Sequence, residues 1–297
     1  SSFLFRLIVQ VILCVVRKQA SLSVAHLAAL IWEIDPKVIL TCSDNNVSLS
    51  KLAKRYPKLP VIFVQLSMRD DKGTMPRNLN LPIYFSLGHV EKQMYRRLNT
   101  ECLEYIPIGS VKLGVALQHR DNQSPIGNDI CFISHYRPEL LHPGASTVIR
   151  HVESAHRRLF FLTARYAIDH ELPLTILSKT RSPELQSCEL TYFEQISAYS
   201  YTSFVTADKN ANEFATYTAM FQSGLVVNLA STLGFEALAI GKKVLFGATE
   251  QHQFRTNWGC NDYFLELPDL IVLSTDSKTE FNDKVNNLLQ LPDLDYQ

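Results

Sequence analysis

The stretch from Leu225 to Gly247, which reads LVVNLASTLGFEALAIGKKVLFG, constrains the fold of this 297-residue chain more than any other. An apolar run at Leu225 to Val227 is followed by a small polar turn and then by a short amphipathic helix. Gly241 ends that helix, as glycine commonly does at a helix C-terminus, and a second apolar run begins at Val244. This order predicts a β-α-β unit with a short helix.

The first turn of this unit carries three candidate ligand-binding residues, Ser231, Thr232 and Glu236. Ser231 and Thr232 stand where a strand ends and a helix begins, so backbone N–H groups and hydroxyls converge there and favour a phosphate or carboxylate. Glu236 lies about one helical turn further on, where it can accept hydrogen bonds from ribose hydroxyls. Because Ser and Thr also cap helices for purely local reasons, spacing alone leaves a simple helix start as the alternative.

The rest of the chain repeats this alternation of short apolar runs and helical patterns. The predicted strands are 38–42, 61–66, 82–87, 102–106, 129–134, 174–177, 204–206 and 271–273. The predicted helices are 24–34, 49–56, 89–98, 147–170, 184–199, 212–221 and a last one that ends near Leu291. Ser277 and Glu280 have capping-box spacing at the start of that last helix. Strands that alternate with helices imply parallel sheets covered on both faces.

A polar stretch with Pro and Gly at 118–128 is the predicted linker between two α/β domains, 1–120 and 125–297. Hydrophobic residues make up 46% of the chain and charged residues 20%, which permits a large core and argues against general disorder. Lys and Arg together number 29, as do Asp and Glu, so the basic excess typical of nucleic-acid-binding proteins is absent.

The six cysteines are scattered and show no CxxC spacing, which argues against a disulfide framework or a zinc site. Cys42 and Cys131 stand in apolar, strand-like surroundings, and we interpret them as buried reduced thiols of a cytosolic protein. The apolar segment from Phe3 to Val16 is shorter than the ~20 residues that span a bilayer, and we interpret it as a buried helix or strand. It also lacks the small-residue cleavage site of a signal peptide.

The order of strand, Ser-Thr, Gly-x-Glu, small helix and Gly-Lys-x-Val resembles the donor-nucleotide segment of GT-B glycosyltransferases. The nearest group is that of the bacterial transferases that build capsules and lipopolysaccharides. Three N-terminal segments resemble the D-N-S, V-Q-N-G-x-R and P-x-G-S motifs of the same family, and they read DNN from Asp44, VQLSMR from Val64 and PIGS from Pro107. The chain departs from the family at Leu66-Ser67, where the family has Asn-Gly. The family's N-terminal glycine-rich loop is also absent, so we expect residues upstream of Ser1.

The resemblance implies two Rossmann-like parallel-sheet domains that face a cleft, with the acceptor on the N-terminal side and the nucleotide on the C-terminal side. It implies a glycosyltransferase that moves a sugar from a nucleotide donor to a surface polysaccharide or lipopolysaccharide, with the nucleotide sugar as substrate and no cofactor. It also implies a cytoplasmic protein with peripheral association at the inner face of the membrane.

Asp44 and Arg69 are the candidate catalytic residues, and Asn45, Gln65 and Ser110 are candidates for the acceptor side. A carboxylate at a strand end can serve as the base of an inverting transferase, or as the nucleophile or charge stabiliser of a retaining one. Arg69 can hold an anionic acceptor or a carboxylated sugar by a bidentate contact. The structural alternatives are an Asx-turn at Asp44 and a surface ion pair of Arg69 with a neighbouring aspartate.

Four further donor-binding candidates follow the first two strands of the C-terminal half. Ser134 and Arg137 follow one strand, and Lys179 and Arg181 follow the next. Together with the Ser-Thr turn, they place positive charge and hydroxyl donors on one edge of one sheet, which suits a diphosphate that leaves as an anion. Each of them alone is also ordinary loop chemistry.

No metal site is predicted. The histidines at 135, 142, 151 and 156 do not form an HExxH or another compact ligand pattern, and we interpret them as surface or core residues. The sequence Asp-x-Asp occurs only in the C-terminal tail, at Asp293 to Asp295, so a metal-dependent GT-A mechanism is disfavoured.

Two other functions remain open. A sugar-nucleotide epimerase or a polyol-phosphate transferase of the same fold would use a related site. A non-catalytic sugar-nucleotide-binding subunit would keep Ser231, Thr232 and Glu236 but would tolerate the loss of Asp44.

Overall fold

The computed structural model describes residues 2–16, 21–72, 75–120, 127–141, 144–178, 180, 182–196, 203–206, 213–249, 261–292 and 296. The chain divides into two compact units, Ser1–Val111 and Lys112–Gln297. Both units are α/β, each with its own parallel sheet, and the predicted α/β class of the GT-B type is confirmed. The division into folding domains at 1–120 and 125–297 stays a prediction.

Among its described residues, the first unit contains a four-stranded parallel sheet in the order β1-β2-β3-β4. Its strands are β1 (Ile39–Thr41), β2 (Val61–Val64), β3 (Ile83–Ser86) and β4 (Glu104–Pro107). Its helices are α1 (Ser2–Val16), α2 (Leu22–Ile34), α3 (Val47–Arg55) and α4 (Glu91–Arg97). The core contains Phe63, Leu81 and Tyr84, all fully buried. An apolar run such as β2 forms a strand here because helices cover a parallel sheet on its faces.

The second unit contains, in the described part of the chain, a five-stranded parallel sheet in the order β7-β6-β5-β8-β9. Its strands are β5 (Ile130–Ile133), β6 (Leu174–Leu177), β7 (Ser203–Val205), β8 (Leu225–Asn228) and β9 (Val244–Phe246). The chain passes from β5 to β6 and β7 on one side, and then returns to β8 on the other side of β5. The order of the strands therefore reverses between β5 and β8, which is where open α/β sheets bind their ligands.

The second unit starts with a helix, and a further helix follows each of its described strands. They are α5 (Val111–Gln118), α6 (Thr147–Asp169), α7 (Pro183–Ile196), α8 (Ala215–Gln222), α9 (Thr232–Ala239) and α10 (Lys278–Gln290). Helix α5 begins at the boundary between the units and was not predicted, because Gly114 lies inside it and weakens its helical pattern.

The predicted β-α-β unit at 225–247 is confirmed. Strands β8 and β9 are parallel neighbours, with Val226 paired to Val244. Ser231 is the N-cap of α9, where its side chain accepts the N–H of Leu233. Gly241 has a φ of 75°, a conformation that glycine adopts at little cost, and it therefore ends the helix as predicted.

The N-terminal segment is a helix, α1, but the prediction that it is buried was wrong for most of the apolar residues whose burial is described, which lie between Leu4 and Leu13. Leu7 is buried, whereas Leu4, Phe5 and Ile8 are exposed, because α1 packs with one face on α2. Among the residues that the structure describes, no helix combines the length and the apolar character needed to cross a membrane.

Two other predictions were wrong. Cys42 is exposed rather than buried, because it follows the edge strand β1, while Cys131 in the central strand β5 is buried as predicted. Residues 271–273 form no strand; Val272 makes only a single bridge to Phe246. Its carbonyl instead accepts a hydrogen bond from the ammonium group of Lys284 at 2.6 Å.

The predicted cap of the last helix is present in part. Ser277 is the N-cap of α10, and its hydroxyl accepts the N–H of Glu280 at 3.1 Å. The Glu280 carboxylate accepts the N–H groups of Ser274 and Thr275 instead of that of Ser277. The Glu280 side chain therefore connects the start of α10 to the preceding loop and does not complete a capping box with Ser277.

Candidate functional site

A cavity of about 180 Å³ lies at the carboxyl ends of β5, β6 and β8, at the point where the strand order of the second sheet reverses. Its lining consists of small hydroxyl side chains, one imidazole and a few apolar groups, namely Ile133, Ser134, His135, Leu177, Ser178, Thr216, Ser231 and Leu233. Ser134, Ser178 and Ser231 thus meet in one place, although they are far apart in the sequence. Hydroxyl donors at this edge suit a ligand rich in oxygen acceptors.

The turn between β8 and α9 forms one wall of this cavity. The side chain of Asn228 is fully buried, and its Oδ1 accepts the N–H of Ser231 at 2.9 Å. Gly234 packs directly on that side chain, since a Cβ at Gly234 would lie 2.4 Å from the Asn228 amide. The first turn of α9 can therefore lie close to β8 only with glycine at this position. The positive end of the α9 dipole is consequently beside the cavity, which favours an anion.

Glu236 lies on the same helix but is 95% buried. Its Oε2 accepts the hydroxyl of Tyr217, on α8, at 2.9 Å. Burial, and after it the charge of Glu236, raises the pKa of Tyr217, so the phenol stays protonated and donates. The contact with ribose hydroxyls that the sequence suggests for Glu236 stays a prediction. Thr232 is the first residue of α9 and is partly buried.

The turn after β6 is held by a buried carboxylate that the sequence analysis did not single out. Glu189, on α7, is fully buried, and its Oε2 accepts the hydroxyls of Ser178 and Thr180, each at 2.6 Å. Within the described ranges, the other carboxylate oxygen has no hydrogen-bond partner. Because Ser178 lines the cavity, Glu189 fixes part of its wall. A single Glu in a helical pattern gave no signal for this role.

His135 was interpreted as a surface or core residue, but it lines the cavity. Its Nε2 accepts the backbone N–H of Ala230 at 3.3 Å, so the segments that follow the paired strands β5 and β8 are joined beyond the edge of the sheet. The partners are 95 residues apart in the sequence, so no local pattern could have indicated this contact.

Of the cationic side chains predicted at this edge, the structure describes that of Arg137. Arg137 is exposed, and Ser134 beside it is buried. Lys179 and Arg181 lie outside the described residues.

The two candidate catalytic residues of the first unit bind each other. Arg69 donates from Nε to Asp44 Oδ2 at 3.0 Å and from Nη2 to Asp44 Oδ1. The carboxylate is fully buried and also accepts the hydroxyl of Tyr84 at 2.8 Å. Since Tyr84 donates to Asp44, Tyr95 donates in the contact between the two phenols. Arg69 therefore pairs with Asp44, while Asp71, one of the neighbouring aspartates considered from the sequence, pairs with Arg97.

The electrostatics of this cluster follow from burial and charge. Burial raises the pKa of Tyr84, and the neighbouring Tyr95 and Asp44 raise it further, so the phenol remains a donor. Burial alone would lower the pKa of Arg69, but the hydrogen bonds and the charge of Asp44 raise it overall. The Arg69 side chain is 12% exposed, which makes it the more accessible member of the ion pair.

The acceptor-side candidates have different surroundings. Gln65 is buried and connects the ends of β2 and β3, because its Nε2 donates to Glu91 at 2.8 Å while its Oε1 accepts the N–H of Leu87 at 3.0 Å. Asn45 is exposed, and Ser110, after β4, is partly buried. Among the described residues, no group of three or more His, Cys, Asp and Glu side chains is arranged to hold a metal ion.

Comparison with protein families connects the chain to surface-carbohydrate biosynthesis. The model of a family described as "putative O-antigen biosynthesis protein" matches residues 77–286, more than half of the chain. A comparison with curated proteins found no match.

Solved structures with the same fold include two epimerases. The UDP-GlcNAc 2-epimerase of Methanocaldococcus jannaschii, in complex with UDP-GlcNAc and UDP, has a TM-score of 0.56 at 11% identity, over 92% of this chain and 74% of that one. A "putative UDP-N-acetylglucosamine 2-epimerase" from Listeria monocytogenes has a TM-score of 0.55 at 12% identity, over 90% and 69%. A glycosyltransferase from Rickettsia africae has a TM-score of 0.47 at 10% identity, over 90% and 70%. At such identities the two epimerases establish a shared fold.

Proposed function

The chain belongs to the O-antigen biosynthesis protein family, and from this premise we propose that it is a glycosyltransferase. In this proposal it moves a sugar from a nucleotide donor to a surface polysaccharide or lipopolysaccharide acceptor. The reaction needs a site that binds the nucleotide as a leaving anion. It also needs a group that contacts the acceptor or the transferred sugar.

The cavity at the carboxyl edge of the second sheet is the observation that carries the proposal. It lies at the point of strand reversal, beside the start of α9, and serine hydroxyls from three separate turns line it. These features favour the phosphates of a nucleotide. At about 180 Å³ the cavity is smaller than the ~300 Å³ of the smallest usual ligand pockets, so we assign it to the phosphates alone.

A uridine nucleotide is the first ligand to test. The M. jannaschii epimerase, which shares this fold, is solved with UDP-GlcNAc and UDP. We therefore propose a UDP-sugar as the donor, with its diphosphate near Ser134, Ser178 and Ser231. Glu236 remains our candidate for the ribose contact, and Arg137, Lys179 and Arg181 remain candidates for the phosphate charge.

Asp44 and Arg69 remain the catalytic candidates, and the geometry suggests how they would divide the work. A general base must come within hydrogen-bond distance of the proton that it removes. Asp44 is fully buried and both its oxygens already accept hydrogen bonds. In this arrangement Asp44 orients the guanidinium of Arg69, and Arg69 is the group that can reach an anionic acceptor or sugar.

Calorimetric titration of UDP into the wild type and two serine variants tests the nucleotide site. Ser231→Ala and Ser277→Ala both remove an N-cap hydroxyl in the second unit, so each should cost about 1 kcal/mol of folding stability. Only Ser231 lines the cavity, and we therefore expect only Ser231→Ala to weaken UDP binding. Equal affinity in the wild type and both variants would contradict the assignment of the cavity to the nucleotide.

A sugar-nucleotide epimerase is the second candidate, because the same fold carries that reaction in the M. jannaschii enzyme. Incubation with UDP-GlcNAc in the absence of an acceptor separates the two, with proton NMR as the readout. An epimerase would accumulate the sugar nucleotide inverted at C2. A transferase would leave UDP-GlcNAc unchanged, and would release UDP only when a glycan acceptor is added.

A further inference from the structure

A continuous chain of hydrogen bonds crosses the second unit and ends at the wall of the cavity. The backbone N–H of Ala230 donates to Nε2 of His135 at 3.3 Å. The backbone N–H of His135 in turn donates to Nε2 of His156, on α6, at 3.1 Å. Nδ1 of His156 lies 3.2 Å from the hydroxyl of Tyr192, on α7. The end of β5 and the helices α6 and α7 are thus connected to the turn that precedes α9.

The direction of these bonds fixes the protonation of both rings. A backbone N–H can only donate, so Nε2 of His135 and Nε2 of His156 must both be unprotonated acceptors. In a neutral imidazole the proton then resides on Nδ1. His156 consequently donates from Nδ1 to Tyr192. Both histidines are neutral in this arrangement, because a protonated ring has two donors and no acceptor.

His156 is rigidly held, and it holds the backbone of His135. It is fully buried and stacks on Tyr192, with ring centroids 5.7 Å apart and an interplanar angle of 3°. Phe132 and Phe193 pack around it, with centroids 5.4 Å and 5.7 Å away. An imidazole in such surroundings has little freedom, so the position of the His135 backbone is well determined.

We propose that His135 is a positioning residue of the nucleotide site, because its imidazole joins the β8–α9 turn to the end of β5. This inference rests on the proposed function. Ala230 directly precedes Ser231, which lines the cavity assigned to the phosphates. Asn228 restrains the same turn from within β8, through the N–H of Ser231. His135 adds a second restraint on this turn, from the segment that follows β5.

Two variants separate the effect of the hydrogen-bond acceptor at position 135 from the effect of side-chain size. His135→Gln keeps an oxygen that can accept the N–H of Ala230, whereas His135→Leu keeps bulk without an acceptor. Amide hydrogen exchange at Ala230, measured by NMR on the complete chain, reports the bond directly and without ligand. We expect exchange to be about tenfold faster in His135→Leu and within about threefold of the wild type in His135→Gln. The UDP dissociation constant should rise by about tenfold in His135→Leu and recover in His135→Gln.

The outcomes distinguish this inference from the proposed function. Unchanged exchange at Ala230 in His135→Leu would overturn the bond itself. Faster exchange with an unchanged UDP dissociation constant would overturn the positioning role and leave the nucleotide site standing. A wild-type protein that binds no UDP would overturn the proposed function, and the positioning role with it.

The nitrogen NMR chemical shifts of the two imidazole rings in the wild type give a second test. This test does not require any variant to fold. We expect both rings to carry their proton on Nδ1. A proton on Nε2 of His135 would overturn the inference.

Discussion

The carboxyl edges of the two sheets carry similar polar residues but arrange them in opposite ways. At the edge of the first sheet, Asp44 and Arg69 bind each other, and Tyr84 completes the coordination of the carboxylate. At the edge of the second sheet, Ser134 and Ser231 line an open cavity. The first edge is therefore a closed network of charge, while the second has room for a ligand.

The difference shows that a polar residue after a buried strand is only a candidate for binding. Its availability depends on side chains that are distant in sequence, such as Tyr84, which is 40 residues from Asp44. It also depends on size, since serine leaves space at a strand end that arginine and tyrosine fill. We expect substitutions at the first edge to affect stability most, and substitutions at the second edge to affect binding most.

The largest expected effect is at the ion pair of the first edge. Asp44→Asn keeps the shape of the side chain but leaves the partly buried Arg69 without its counter-charge. Breaking a buried pair in this way typically costs about 3–5 kcal/mol. Urea unfolding followed by circular dichroism should show that the free energy of unfolding falls by this amount.

Arg69→Met is the matching change at the other partner of this ion pair. It should lower the free energy of unfolding by at least as much, because it leaves the fully buried carboxylate of Asp44 without its counter-charge. If Asp44→Asn unfolds like the wild type and yet abolishes sugar transfer, the closed-network account of this edge is wrong, and Asp44 acts directly in catalysis.

The next largest effect is at Gly234, at the second edge. Gly234→Ala places a Cβ 2.4 Å from the Asn228 amide, so α9 must shift away from β8. Such overpacking costs about 1–3 kcal/mol, and UDP binding should weaken as the turn moves. Gly114→Ala is the matched control, since Gly114 also lies in a short helix, α5, with nothing within 4 Å of its Cβ position.

We expect Gly114→Ala to stabilise the protein by about 0.4–1 kcal/mol, because the unfolded chain loses freedom without a clash. Thermal unfolding and UDP titration of both variants check this contrast. If Gly234→Ala and Gly114→Ala change thermal stability and UDP affinity in the same way, α9 does not depend on close packing against Asn228.

A smaller effect is expected at Glu189, which holds the turn after β6. Glu189→Gln replaces a charged acceptor by a neutral one, which weakens the hydrogen bonds from Ser178 and Thr180 and should cost about 1 kcal/mol. Glu194→Gln, on the exposed side of the same helix, should change stability by less than about 0.5 kcal/mol. Equal stability of the two variants in urea would exclude a structural role for the buried carboxylate.

The local part of the second edge could be predicted from the sequence, whereas its long-range part could not. The β8–α9–β9 unit follows from an apolar run, a Ser-Thr cap and a terminal glycine, and all three signals lie within one short stretch. The contact of His135 with Ala230 joins residues from separate strands, and nothing near His135 indicates it. The strand predicted at 271–273 is absent for the same reason. The ammonium group of Lys284 donates to the Val272 carbonyl, which a sheet hydrogen bond would need.

The last prediction concerns Glu280, which lies away from both edges, and tests whether its carboxylate is held in the charged form. Burial would raise the pKa of Glu280, but the Thr275 hydroxyl, the N–H groups of Ser274 and Thr275, and Lys284 lower it to about 2 from 4.5. Because the folded pKa is the lower one, its stabilisation is present above about pH 4.5 and is lost as the pH falls toward 2.

The stability difference between the wild type and Glu280→Gln, followed by urea unfolding, should therefore shrink over that pH range and be constant above it. A difference that stays the same down to pH 2 would show that the carboxylate is not held by these donors.

The central claim is that the second edge, and not the first, binds the nucleotide. Hydrogen exchange by mass spectrometry, with and without saturating UDP, tests it most directly. We expect UDP to slow exchange in the segments that contain Ser134, Ser178 and Ser231, and to leave the segments around Asp44 and Arg69 unchanged. Protection confined to the first unit, or no protection in either unit, would contradict the account.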